Sequence, residues 1–119
     1  MSSILVVDDS ALVRKHIGLL LKGLGHQYNE ANNGLVGLEA ALSESFDLII
    51  VDLNMPKMDG FLFCRELRKF EELRETPVVM ISADHRADNV HTALWSGANI
   101  FLPKPLQTPA VTQVLNLFL

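Results

Sequence analysis

Ile4-Leu5-Val6-Val7-Asp8-Asp9-Ser10 decides how this chain is read: four apolar residues in a row, three of them β-branched, run straight into two acids and a serine. A short unbroken apolar run bounded by polar residues reads as a strand buried on both faces. Ser10 has the side chain of a helix N-cap. Beyond it Val13, Ile17, Leu20, Leu21 and Leu24 recur at spacings of three and four, which places them on one face of a helix, and Gly25 fits its stop. A buried strand, an acidic turn and an amphipathic helix make the first half of a β-α-β unit.

The unit recurs along the chain. Further strand-like runs lie at residues 28–31, 48–51, 78–81 and 99–102. The run at 28–31 is the least apolar and is expected at a sheet edge, where one side meets water. Helical spacing returns in Leu35, Leu38, Ala41 and Leu42, in Phe63, Leu67 and Phe70, and in Val90, Ala93 and Leu94 ahead of Gly97. Thr108-Pro109 reads as a cap followed by the first helical position, with Val111, Val114, Leu115 and Phe118 as the last apolar stripe. Five β-α repeats predict a doubly wound α/β fold, a parallel sheet with helices on both faces.

No linker or low-complexity tract divides the 119 residues, so residues 1–119 are expected to form one domain. The composition, 49% hydrophobic and 20% charged, suffices for a core. A net charge of −4 with no basic run argues against direct nucleic-acid binding. The single cysteine, Cys64, excludes an internal disulfide and reads as a small core hydrophobe. No window approaches the roughly 18 apolar residues of a membrane span, and a cytoplasmic location is expected.

Open α/β sheets bind ligands at the carboxyl ends of their strands. There the sequence puts Asp8-Asp9 after the first strand, Asp52 after the third, Ser82 after the fourth and Lys104 after the fifth. Singly each is ordinary: an acid pair often caps a helix, and a lone Asp often forms a turn. Their joint placement at one rim is what carries weight. Two like charges 4 Å apart repel by about 4 kcal/mol at an effective dielectric near 20. Lys104 offsets one charge, and a hard cation held by oxygens would offset the rest; Mg²⁺ suits one or two carboxylates plus waters and a phosphate oxygen. The histidines His16, His26, His85 and His91 show no zinc-ligand spacing.

The run 4–10, Asp52-Leu53-Asn54-Met55-Pro56 with Asp59-Gly60, Ser82-Ala83 and Lys104-Pro105 together resemble the receiver domains of two-component response regulators. The resemblance spans nearly the whole chain and implies a flavodoxin-like strand order of 2-1-3-4-5. It also implies that Asp52 accepts a phosphoryl group from a histidine kinase or histidine phosphotransfer protein. Asp8, Asp9, Asp52 and the Asn54 carbonyl would hold Mg²⁺, while Ser82 and Lys104 would contact the phosphoryl oxygens. Phe101 would report the phosphorylated state without a hydroxyl, and Asn54 and Asp84 would tune dephosphorylation by orienting water. Pro56 would fix the loop after Asp52, and Gly60 would let it turn into the third helix.

A face built from the fourth helix, fifth strand and fifth helix would bind a downstream partner or a second copy, with Trp95, Phe101, Leu106, Leu117 and Leu119 as candidate contacts. Trp95 packed beneath its helix is the alternative for that residue. For the chain as a whole the alternative is a pseudo-receiver that is not phosphorylated and serves only as an interaction module. A haloacid-dehalogenase type of hydrolase requires a second Asp where this chain has Asn54. The kinase, the output and the pathway are not written in these motifs. The chain is expected to be either a stand-alone receiver or one cut at a domain boundary, and the apolar ending Leu115-Asn116-Leu117-Phe118-Leu119 favours the cut.

Overall fold

In the computed structural model, which describes residues 2–119, strand and helix alternate from end to end. The elements are β1 Ser3–Val7, α1 Ala11–Gly23, β2 Gln27–Ala31, α2 Gly34–Ser43, β3 Leu48–Asp52, α3 Gly60–Leu67, β4 Val78–Ser82, α4 Ala87–Ser96, β5 Ile100–Pro103 and α5 Thr108–Phe118. A single 3-10 turn, Glu71–Leu73, follows α3. All pairings are parallel, in the order β2-β1-β3-β4-β5. The polar strand β2 is an edge, as its composition predicts. The other edge is β5, which accommodates Pro103 because a missing N–H costs nothing on the unpaired side.

Alternation along the strands feeds two cores. Leu5, Val7, Ile49, Val51, Val78 and Met80 face the layer of α2, α3 and α4. Ile4, Val6, Leu48, Ile50, Val79 and Ile81 face α1 and α5, where Ile17, Leu21, Val111, Val114 and Leu115 meet them. Burial on both faces is why these strands read as unbroken apolar runs. Ser10 caps α1, its hydroxyl accepting the Val13 N–H at 3.2 Å. Gly97 ends α4 with φ +119°, a left-handed conformation that suits glycine.

Several helix faces differ from their apolar spacing. On α2, Leu35 and Leu42 are exposed while Gly34 and Gly37 face the core. A Cβ at Gly37 would lie 2.9 Å from Val7 Cγ2 and 3.0 Å from Phe63, so the helix lies too close to the sheet for a side chain there. Phe70 falls beyond the end of α3 and is exposed, as is Leu94 on α4. Thr108 is the first residue of α5, not its cap: Gln107 precedes it without a side-chain cap bond.

One buried-stem cation ties the lower half of the fold. Arg68, just past α3, donates from Nε and Nη2 to the Gly97 carbonyl at 3.1 and 2.8 Å. Its Nη1 donates to the carbonyls of Leu73 and Thr76, both at 2.7 Å, and Nη2 reaches Asn99 Oδ1 at 3.1 Å. The planar guanidinium thus joins α3, the 3-10 turn and the α4–β5 connection.

Candidate functional site

Asp8 is 0% exposed at the end of β1 and is held from its own turn. The Ser10 N–H donates to Asp8 Oδ1 at 2.9 Å, and Arg14, one turn into α1, donates from Nη1 to the Asp8 carbonyl at 2.7 Å. Arg14 is itself oriented by Glu30 on β2 at 2.9 Å. Asp52 ends β3 at 2% exposure, and the Asn54 N–H donates to its Oδ1 at 3.3 Å. Lys104 Nζ lies between them, 3.0 Å from Asp8 Oδ2 and 3.1 Å from Asp52 Oδ1. With exposed Asp9, these acids bring carboxylate oxygens within 4.8 Å of one another.

One ammonium does not balance three carboxylates. Asp8 Oδ2 is the one buried side-chain oxygen or nitrogen without a hydrogen-bond partner among the described residues; its contact with Lys104 is one of charge. A buried carboxylate oxygen that shares its one nearby cation with Asp52, in an all-oxygen acid cluster, fits a hard divalent cation such as Mg²⁺. Burial, then the charge of Asp8, raises the Asp52 carboxyl above its ordinary value, against the pull of Lys104. Lys104 is also raised: burial works to lower it, but its contacts with Asp8 and Asp52 outweigh that. The two shifts agree, since the lysine sees two attractions while Asp52 sees one attraction and one repulsion.

A carboxyl raised in the folded state contributes stability only below its unfolded value, and that contribution is lost as pH rises through the folded value. Ionised Asp52 therefore destabilises the metal-free fold at neutral pH. Asp52→Asn should raise the metal-free melting temperature at pH 7, with the gain shrinking as pH falls through the raised folded value and gone below the unfolded value of 3.8. Thermal unfolding at several pH values checks this, and an equal gain at every pH contradicts it.

The loop after β3 passes close to the helix it feeds. The Gly60 N–H donates to the Leu53 carbonyl at 2.9 Å, and a Cβ there would stand 2.8 Å from the Asp52 carbonyl. Close approach, not turning, is what requires Gly60; the left-handed residue of this loop is Lys57, at φ +70°. Asp59 caps α3 through its Oδ1, which accepts the Leu62 N–H at 2.9 Å.

Ser82 ends β4, fully buried, and its hydroxyl accepts from Asn54 Nδ2 at 3.1 Å and from the Asp84 N–H at 3.0 Å. Asp8, Asp9, Asp52, Asn54, Ser82 and Lys104 therefore gather at one rim. The Asp84 carboxylate is engaged elsewhere. Arg86 grips it at 2.9 and 2.7 Å, and that hydrogen bonding holds its carboxyl below the usual range. Phe101, half-buried on β5, packs against the core beneath α4. Arg14 and Arg86 were not singled out from the sequence. The spacing Asp84-His85-Arg86 is a legible signal for the second; the first acts through a backbone carbonyl, which no side-chain pattern announces.

Comparison with known proteins agrees with this geometry. The family described as the response regulator receiver domain matches residues 4–116. The chemotaxis protein CheY of Pseudomonas aeruginosa is 37% identical over 114 residues, covering 95% of this chain and 92% of its own. The solved chemotaxis protein CheY4 of Vibrio cholerae superposes with a TM-score of 0.93 at 30% identity, over 100% of this chain and 99% of that one. The receiver domain of the sensor histidine kinase PA1611 from P. aeruginosa, solved with a magnesium ion coordinated in its active-site cleft, gives a TM-score of 0.91 at 26% identity over 98% and 96% of the two chains. A match that begins in β1 and ends in α5, on a sheet of the same order and length, leaves one placement: this chain belongs to the response regulator receiver domain family.

Proposed function

We propose that this receiver domain takes a phosphoryl group onto Asp52 in the presence of Mg²⁺ and thereby alters a protein-binding face. The observation that carries the reading is the convergence of three carboxylates on a single ammonium, Lys104, at the buried end of β1 and β3. Asp8, Asp9, Asp52 and the Asn54 carbonyl would hold the metal, which when bound would neutralise charge on the phosphoryl group; the magnesium ion in the PA1611 receiver supports this. Asp52 ends β3, the middle strand of the five, and touches Lys104 at 3.1 Å, as Asp8 does at 3.0 Å. A carboxylate oxygen of Asp52 attacks phosphorus, the phosphorus–nitrogen bond of the donor breaks, and the leaving imidazole takes up a proton. Lys104 and Ser82 meet the phosphoryl oxygens. Such a transfer has a loose transition state, so positioning and charge neutralisation supply most of the catalysis.

The donor on this reading is a phosphohistidine of a histidine kinase or phosphotransfer protein. A hollow of about 480 Å³ beside Lys104, walled by Leu12, His16, Ala83 and Pro105, supports an approach from the α1 side. Leu12 stands there 79% exposed, as an apolar contact for such a partner. Residues 1–119 act as one receiver unit, and a cytoplasmic setting follows from the donor. No helix among the described residues is long and apolar enough to cross a membrane. Cys64 is free and buried, its thiol pushed up to about 12 by burial, and stays out of the chemistry.

The output face is α4, β5 and α5, with two changes to its expected members. Leu106 is buried in the α1–α5 core, and Trp95, 89% exposed, borders a hollow shared with Phe61, Leu62 and Arg65 of α3. Phe101, Leu117 and Leu119 remain. Beryllofluoride with Mg²⁺ should slow or redistribute amide exchange across this face, and Phe101→Ala should uncouple that change while ligand still binds. Exchange differences confined to the loops after β1 and β3 contradict the switch. No response at all in the parent chain favours the interaction-only alternative.

A further inference from the structure

The hydroxyl of Ser82 is fully committed as an acceptor. It receives the Asn54 side-chain amide at 3.1 Å and the Asp84 backbone N–H at 3.0 Å. A serine hydroxyl has two acceptor positions and one proton to donate. With both positions filled, what remains is the proton, and among the described residues no group accepts it. Ser82 is buried, one residue beyond the register position opposite Asp52, so that proton has little freedom to seek water.

We propose that Asn54 is a positioning residue that sets Ser82 as a hydrogen-bond donor toward the oxygen arriving on Asp52; the proposal rests on Asp52 being the phosphoacceptor. Asn54 touches both partners. Its backbone N–H meets Asp52 Oδ1 at 3.3 Å while its side-chain amide meets Ser82 Oγ at 3.1 Å. One residue thus registers the nucleophile against the hydroxyl that must meet its product. This is a different duty from orienting a hydrolytic water, which would fall to the second N–H or the oxygen of the amide. The Asp84 carboxylate is spent on Arg86, while its N–H serves Ser82.

The orientation of the amide has a consequence of definite sign. If the Asn54 nitrogen faces Ser82, truncation frees an acceptor position and lets the hydroxyl turn away, which weakens binding of a phosphoryl mimic. If the amide oxygen faced Ser82, it would consume the proton, and truncation would release that proton and tighten binding.

The experiment measures beryllofluoride affinity in Mg²⁺ by fluorine NMR for the parent, Asn54→Ala, Ser82→Ala and the double variant. Alanine keeps the backbone N–H and carbonyl of residue 54. The Asn54 side chain is exposed, so the fold is expected to persist, and Asn54→Ser serves as a second truncation. The expected result is a loss of about three- to tenfold for Asn54→Ala, the range of one net hydrogen bond, and no further loss from it in the Ser82→Ala background. In the free protein, Asn54→Ala should also speed exchange of the Asp84 amide. Tighter or unchanged binding, or the same loss in both backgrounds, overturns the proposal while leaving the phosphoacceptor reading intact. A parent chain that binds no beryllofluoride overturns both.

Discussion

Asp52→Asn should carry no label after incubation with acetyl phosphate and Mg²⁺, under conditions that label the parent chain at that residue. The lone pair of an amide nitrogen is delocalised and its oxygen is a poor nucleophile, so the step that makes the acyl phosphate has no attacking group. The substitution changes almost no volume, and by the pH argument above it should leave the metal-free fold more stable, so loss of label will not reflect unfolding. Asp8 and Asp9 lie in the same acid cluster, yet neither stands in for Asp52. Asp8 is pinned by the Ser10 N–H, and Asp9 is exposed to water. Mass spectrometry of the peptide containing residue 52 reads the result. Labelling of the variant at the parent's extent removes the assignment.

The second large effect concerns stability. Arg68→Met should lower the unfolding free energy by about 3 kcal/mol, because it strips partners from several chain carbonyls at once. Methionine keeps most of the stem's volume, so the loss reports the guanidinium. Gly97, Leu73 and Thr76 would each lose a donor at 3.1 Å or closer, and Asn99 Oδ1 would keep only its bond from the Val78 N–H at 2.8 Å. Burial lowers the Arg68 pKa, yet an arginine remains charged at any pH where the fold survives. Arg68→Lys should recover only a small part, since an ammonium cannot fork across three segments. Urea unfolding measures this, and a change within about 0.5 kcal/mol, the range of ordinary surface substitutions, contradicts it.

The sheet was legible because a strand buried on both faces leaves an unbroken apolar run, and three such runs, β1, β3 and β4, stand out from the sequence, with a shorter one at the half-buried edge strand β5. The rim was legible for a related reason: each run stops abruptly at a polar residue, so strand ends and chemistry coincide. What the spacing of apolar residues does not carry is how near a helix lies to the sheet. On α2 the contact is made by Gly34 and Gly37, which a hydrophobic count passes over, and Leu35 and Leu42 consequently point to water. Arg68 was invisible because its partners are backbone carbonyls; Trp95 was named as a candidate contact, but that its side chain turns toward α3 is not distinguished by period alone. Asn54 and Asp84 were found as polar positions, but their hydrogen bonds depend on where β3 and β4 end relative to each other.

The two open edges of the sheet bear on how this domain can assemble. An edge strand is a template for a further strand wherever its outward N–H and C=O groups are free. Here β5 offers only four residues and closes on Pro103, which has no N–H to give. At the opposite edge β2 is five residues long, with Glu30 engaged by Arg14 and Asn29 by Glu44. Neither edge provides a long, bare ladder. Extension of the sheet by strand addition is therefore disfavoured on both sides, which leaves the assembly of copies or partners to side chains on the helices and keeps it reversible, while denying the folded domain the backbone route by which open sheets grow into fibrils.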